Sequence, residues 1–177
     1  MREAEMEETP GGRRPAGPGW FVVNVADAHG IRDPGAGIYA RFENRDAAPF
    51  EDFGINVHVL PPGEPSTLYH AEPVQEDFLV LDGDVLAIVE EEERLLRRWD
   101  FVHCPAGTRH AFAGAGERGG VLLCVGSRRL DEAFYPRSEV AARHRASAPE
   151  DTHDGDVAYP AAGWSEERIP TRMPWPR

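Results

Sequence analysis

Residues 66–78 read STLYHAEPVQEDF, which sets His70, Glu72 and Glu76 within seven positions in a segment suited to a β-strand and a tight turn. Residues two apart in a strand share a face, so His70 and Glu72 lie on one face about 7 Å apart. Pro73 then breaks the strand. A chain reversal over residues 73–75 makes Glu76 open the next strand opposite them, with Phe78 and Val80 continuing its face as an apolar wall. A fourth donor comes from far along the chain. The segment WDFVHCPAGTRHAF (99–112) puts Val102 and Cys104 on one strand face, turns at residues 105–107, and delivers His110 with Phe112 beneath it. Three donors from one stretch and one from the other can converge on a single point.

Outward from this pair of segments, short apolar runs alternate with turn signals and no long helical period intervenes. The runs are WFVVNV (20–25), IYARFE (38–43), INVHVL (55–60), DFLVL (77–81), DVLAIV (84–89), RLLRRW (94–99), FVHC (101–104), HAFA (110–113) and VLLCVG (121–126). This pattern predicts an all-β sandwich or barrel. Pro62-Gly63 suits a type II turn, Asp82-Gly83 a tight hairpin, and Pro105 with Gly107 a type I turn. Four glutamates at 90–93 read as an exposed hairpin tip. Residues 1–18 hold Gly, Pro and charge but few apolar groups, so a disordered arm is expected there. The barrel domain is expected over 19–135. A short helix capped by Ser138 and an extended tail follow over 136–177, with Trp164 and Trp175 as candidates for packing back onto the barrel or a partner.

The formal net charge is -12 over 177 residues, and all 19 positive charges are arginines. No basic stripe exists for nucleic-acid phosphates, and anionic membranes are disfavoured for the same reason. The absence of lysine removes Schiff-base chemistry, the phosphate-loop lysine and a lysine base. Cys104 and Cys124 form neither a CxxC pair nor a disulfide framework, and residues 1–10 lack the apolar core of a signal peptide, so a cytoplasmic location is expected. No apolar run approaches the ~20 residues of a membrane-spanning helix. GAGERG (114–119) satisfies GxGxxG but precedes a strand instead of following one into a helix, so it reads as a loop.

The two segments resemble the paired motifs of the cupin superfamily, G-x5-H-x-H-x3-E-x6-G and G-x5-P-x-G-x2-H-x3-N. Here the first runs His70, Glu72, Glu76, Gly83, and the second Pro105, Gly107, His110. Glu72 stands where the family usually has its second histidine, Trp99 replaces the leading glycine of the second motif and Gly114 its closing asparagine. The likeness covers roughly residues 50–127. It implies a small single-domain cupin, a double-stranded β-helix (jelly-roll) barrel with one divalent metal near its mouth, of the Zn, Fe, Mn or Ni kind. His70, Glu72, Glu76 and His110 fall on the ligand positions. Two carboxylates would leave a neutral centre, a weaker Lewis acid than the usual one. Glu72 serves either as fourth ligand or as general base beside a two-histidine, one-carboxylate centre.

Phe78, Val80, Val102, Cys104 and Phe112 are expected to line the pocket. Asn56 and His58 either line the cavity or sit outside, with the outer face or the rim favoured, and His103, Tyr69 and Arg109 are expected to face away. The leading function is a metal-dependent enzyme, oxygenase- or isomerase-like, acting on a small polar molecule. A non-catalytic ligand-binding or sensing barrel and a barrel with a purely structural metal are the alternatives. The run at 20–25 has an edge that needs covering, which suggests a homodimer.

Overall fold

The computed structural model describes residues 1–33, 37–128, 132–159 and 169–175. In chain order its elements are β1 (Met6–Thr9), β2 (Gly12–Pro15), a 3-10 turn (Val25–Asp27), β3 (His29–Asp33), β4 (Gly37–Arg41) and β5 (Phe53–Leu60). There follow β6 (Glu76–Val89), β7 (Glu92–Arg97), β8 (Phe101–Cys104), β9 (His110–Ser127), helices α1 (Glu139–Ala142) and α2 (Gly155–Ala158), and β10 (Ile169–Pro170). The strands pair in the order β10-β3-β4-β5-β9-β6-β7, with β8 also on β6, and every ladder is antiparallel. The fold is the expected all-β jelly-roll barrel with short helices after it.

Two strands are longer than the apolar runs suggest. Residues 77–81 and 84–89 form one strand, β6, and residues 110–113 and 121–126 form one strand, β9. Asp82-Gly83 is therefore not a hairpin. The ladder partner shifts from Gly83/Gly120 to Asp84/Ala115, so residues 116–119 have no partner in β6, and the expected loop at 114–119 is a bulge inside β9. Gly83 and Gly119 take φ of 67° and 70° there, and a methyl on either would strike Gly119 or Leu60 carbonyl oxygen respectively. Both strands turn this corner together, which lets each serve two parts of the barrel wall.

The pleat sorts β5, β6 and β9 into an inner and an outer face. Register aligns one inner row, Arg41–Asn56–Cys124–Phe78–Val102, across β4, β5, β9, β6 and β8. The next inner row is Tyr39–His58–Leu122–Val80. Leu60, Phe78, Val80, Val85, Ala87, Cys104, Phe112 and Leu122 form the interior cluster. On the outer face Val57, Val59 and Val121 are covered by Ala28 and Met173, with Trp175 beside them. Trp175 donates to Ala26 O at 3.3 Å, so this tail residue does pack back; Trp164 lies outside the described residues.

Several local expectations need correction. Residues 6–15 form the β1–β2 hairpin instead of a disordered arm: Ala4 and Pro15 are buried, Asn44 donates to Pro15 O, and Gly30 N–H donates to Gly11 O. Small residues against the barrel achieve there what large apolar residues usually do. Residues 20–25 form no strand, because only Trp20 makes a bridge and Val25 enters the 3-10 turn; the edge argument for a homodimer lapses with it. The 105–108 turn closes from Thr108 N to Pro105 O with Gly107 at φ 82°, one residue later than expected and of type II character. Glu90 and Glu91 take positive φ between partners Val89 and Glu92, so the hairpin tip expected over 90–93 narrows to two residues, with Glu92 and Glu93 already in β7. The tip is tied down: Glu90 pairs with Arg109, Glu91 accepts from Ser138 Oγ, and Glu93 binds Arg143 and His144.

Candidate metal centre

His110 opens β9 and pairs through both backbone hydrogen bonds with His70 in the segment before β6, at 2.8 and 3.0 Å. That pairing holds the two rings with centroids 4.8 Å apart. Each ring is oriented by its own chain. Nδ1 of His70 lies 2.7 Å from Leu68 O and Nδ1 of His110 lies 3.0 Å from Thr108 O. A carbonyl only accepts, so each Nδ1 carries the hydrogen and each Nε2 presents its lone pair inward. Burial, reinforced by the neighbouring His110, pulls His70 down to about 4, which keeps its ring neutral.

Glu76 enters from the first position of β6. Its Oε2 is 3.2 Å from His110 Nε2 and 4.0 Å from His70 Nε2. Gly126 lies opposite on β9, and a methyl there would press on the Glu76 side chain. Oε2 is buried without a hydrogen-bond partner. Burial alone would raise this carboxyl; with a proton on His110 Nε2, the hydrogen bond and charge of that ring hold it below the usual carboxylate range. Two imidazole lone pairs and a carboxylate oxygen facing one point repel until a proton or a cation comes between them.

The donor atoms of His70, Glu76 and His110 all lie within 4.8 Å of one another. Donors bound to one ion at about 2.1 Å sit roughly 3.0–4.2 Å apart, so the two Glu76 separations suit a single divalent cation. These three residues fit a metal. Glu72 stands outside that mutual set, although its Oε1 is 3.9 Å from His70 Nε2. Burial, with Glu76's charge added, pushes the Glu72 carboxyl up to about 7.

The donors form one wall of a cavity of about 300 Å³. Phe78 and Phe112, with ring centroids 4.4 Å apart, make its apolar floor. Val80, Val102 and Cys104 do not reach it: they pack in the interior cluster or against it, from which Phe78, Phe112 and the neighbouring Cys124 emerge. Burial raises the thiols of both Cys104 and Cys124, so neither is poised as a nucleophile. Asn56 and His58 take the less favoured of their two expected places and line the cavity together with Tyr39 and Arg41. Their alternation with Ile55, Val57 and Val59 was visible, but a strand covered on both faces gives no sign of which face is interior. Tyr135 and Tyr159 close the cavity from the segment after β9, with ring centroids 5.6 Å apart, and nothing in their sequence context signals this. His103 faces Asp77 at 2.7 Å on the exposed side, and Tyr69 is fully buried.

Residues 56–126 match the family model of the cupin domain. The chain thus carries a cupin domain over that span, inside the jelly-roll barrel. A sugar phosphate isomerase from a cupin superfamily, from Silicibacter pomeroyi, is 26% identical over 55% of this chain and 68% of its own, with a TM-score of 0.46. The polyketide cyclase RemF from Streptomyces resistomycificus is 16% identical over 63% of this chain and 82% of its own, with a TM-score of 0.54. A cupin 2 domain-containing protein from Halorhodospira halophila is 18% identical over 62% and 75%, with a TM-score of 0.51. The last two share the fold. No curated protein matches. Among the described residues no helix is long and apolar enough to cross a membrane.

Proposed function

We propose that this chain is a metal-dependent cupin enzyme acting on a small polar molecule, with one divalent ion held by His70, Glu76 and His110. The carrying observation is the convergence of two oriented Nε2 lone pairs on a buried Glu76 oxygen that has no hydrogen-bond partner. The ion, of the Zn, Fe, Mn or Ni kind, would polarise an oxygen of the bound molecule. Three protein ligands leave positions open, which supports catalysis or ligand exchange over a purely structural metal. Glu72 takes the acid–base role beside the centre: its carboxyl reaches toward His70 without joining the donor set, and it can hold or release a proton at the substrate. That placement supports the isomerase-like branch of the function over the oxygenase-like one. Phe78 and Phe112 exclude water and strengthen each charge interaction in the cavity.

Elemental analysis tests this reading on protein purified without added metal and on protein reloaded after chelation. About one ion per chain is expected in wild type and in Glu72→Gln, and a loss in His110→Ala and Glu76→Gln. Absence of a stoichiometric ion from both preparations of wild type overturns it, and metal loss in Glu72→Gln makes Glu72 a ligand.

The acidic, lysine-free chain supports a cytoplasmic protein without a nucleic-acid partner. We assign the homodimer to β7, which ends the strand order among the described residues. Glu92 at its start and Arg98 just past its finish face one another when two copies pair antiparallel about the exposed Leu95. Light scattering should give twice the chain mass, falling to one chain mass in Leu95→Pro.

A further inference from the structure

The interior face of a barrel strand is ordinarily apolar, because a polar side chain turned inward loses its water. β4 and β5 break that rule. Their register places Tyr39 beside His58 and Arg41 beside Asn56, all four toward the cavity. The same two rows end on β9, β6 and β8 in Leu122, Val80, Cys124, Phe78 and Val102, so the polar half faces one part of the cavity only. Tyr39 and His58 are 5% and 6% exposed, and their rings stack with centroids 5.0 Å apart. Arg41 donates to Tyr39 Oη at 2.9 Å and lies over that ring, which sets the guanidinium in place.

Charge along this wall is graded. Arg41 pairs in register with His29, while Asp33 pairs with Gly37 at the opposite end of the β3–β4 ladder. Four residues of strand separate the two ends, roughly 13 Å. Asp33 lines the cavity beside Tyr159, whose hydroxyl its charge helps to keep protonated after burial. Arg45 adds a second cation at the Arg41 end, tied to Glu43 at 3.3 Å. A bound molecule therefore meets arginines toward one end, where Glu72 and Glu76 also line the cavity near Asn56, and an acidic, hydroxyl-rich group at the other.

We propose that the β4–β5 wall recognises a small hydroxylated oxyanion, with Arg41 beside Asn56 receiving its carboxylate or phosphate, and Tyr39, His58 and the Asp33 end receiving its hydroxyl groups. The inference names the substrate class for the cavity of the proposed enzyme and so rests on that reading for its purpose, although anion binding itself does not require the ion. Arg41 is here a specificity-determining residue.

The test titrates L-malate, succinate and inorganic phosphate into the full chain by calorimetry, in both chelator-stripped and metal-reloaded protein. Malate or phosphate is expected to bind wild type, and malate more tightly than succinate, which lacks the hydroxyl. Arg41→Gln should weaken binding about tenfold or more, and Arg45→Gln at the rim less than about threefold. Arg41→Lys and Asn56→Ala, checked for wild-type circular dichroism, keep the test open if Arg41→Gln does not fold; each should weaken binding severalfold. Preference for malate or for phosphate separates the two oxyanion sources. Failure of both to bind either preparation, or unchanged affinity in the folded Arg41 and Asn56 variants, overturns the proposal. Equal binding of malate and succinate overturns its hydroxyl part. Arg41-dependent anion binding by a protein that takes up no ion even after reloading would leave this proposal standing where the metal reading has failed.

Discussion

Glu43 is 3% exposed and sits between β4 and β5, where it accepts from Phe50 N–H at 2.8 Å and from the guanidinium groups of Arg45 and Arg128. Burial would raise its carboxyl, but these donors outweigh burial and hold it below the ordinary value of 4.5. A carboxyl with a depressed folded-state pKa contributes stability that is present above its unfolded pKa and lost as pH falls through the folded one. Urea unfolding at a series of pH values should therefore show stability dropping below about pH 4.5, with a shallower acid limb in Glu43→Gln. If the two acid limbs coincide, Glu43 is not the group responsible. A second residue carries packing instead of charge. Phe112 is 2% exposed against Phe78 and His110, and Phe112→Ala should cost about 3–5 kcal/mol in urea unfolding of chelated protein.

At the scale of elements, the corner in β6 and β9 is the feature on which the barrel depends. Gly119 combines a φ of 70° with close approach to the Leu60 backbone. Gly119→Ala should destabilise by roughly 2 kcal/mol or more, because both the conformation and the space oppose a side chain. Gly63, with a φ of 73° but open space around its Cβ position, should lose only about 1 kcal/mol when changed to Ala. Equal losses at the two sites would remove the steric part of the argument. In α1, Ser138 Oγ accepts from Ala141 N–H and donates to Glu91, so the helix cap also fastens the β6–β7 tip. Ser138 was legible as a cap from its neighbours; its bond to Glu91, 47 residues away, was not.

For the whole molecule, the N-terminal hairpin tests how far the barrel extends beyond its motif core. Thr9 Oγ1 lies 2.6 Å from Nδ1 of the buried His29, and Asn44 reaches both Glu7 and Pro15. A chain lacking residues 1–18 should melt several degrees lower than the full chain by circular dichroism, at the ~4–8 °C per kcal/mol of a small domain. An unchanged midpoint would restore the view of this segment as a dispensable arm.

The local sequence determined the strand-rich class and the two segments that bring His70, Glu76 and His110 forward as candidate donors. Alternation, turn residues and motif spacing are encoded within a few positions, so these features can be read along the chain. Tertiary structure decided which strand face is interior, and with it the polar β4–β5 wall, the retreat of Val80, Val102 and Cys104 into the core, and the separation of Glu72 from the donor set. The physical reason is that a strand's two faces are equivalent until other strands and tails cover them. Ala28, Met173 and Trp175 cover one face of β5 from opposite ends of the chain, and only that long-range packing turns Asn56 and His58 inward.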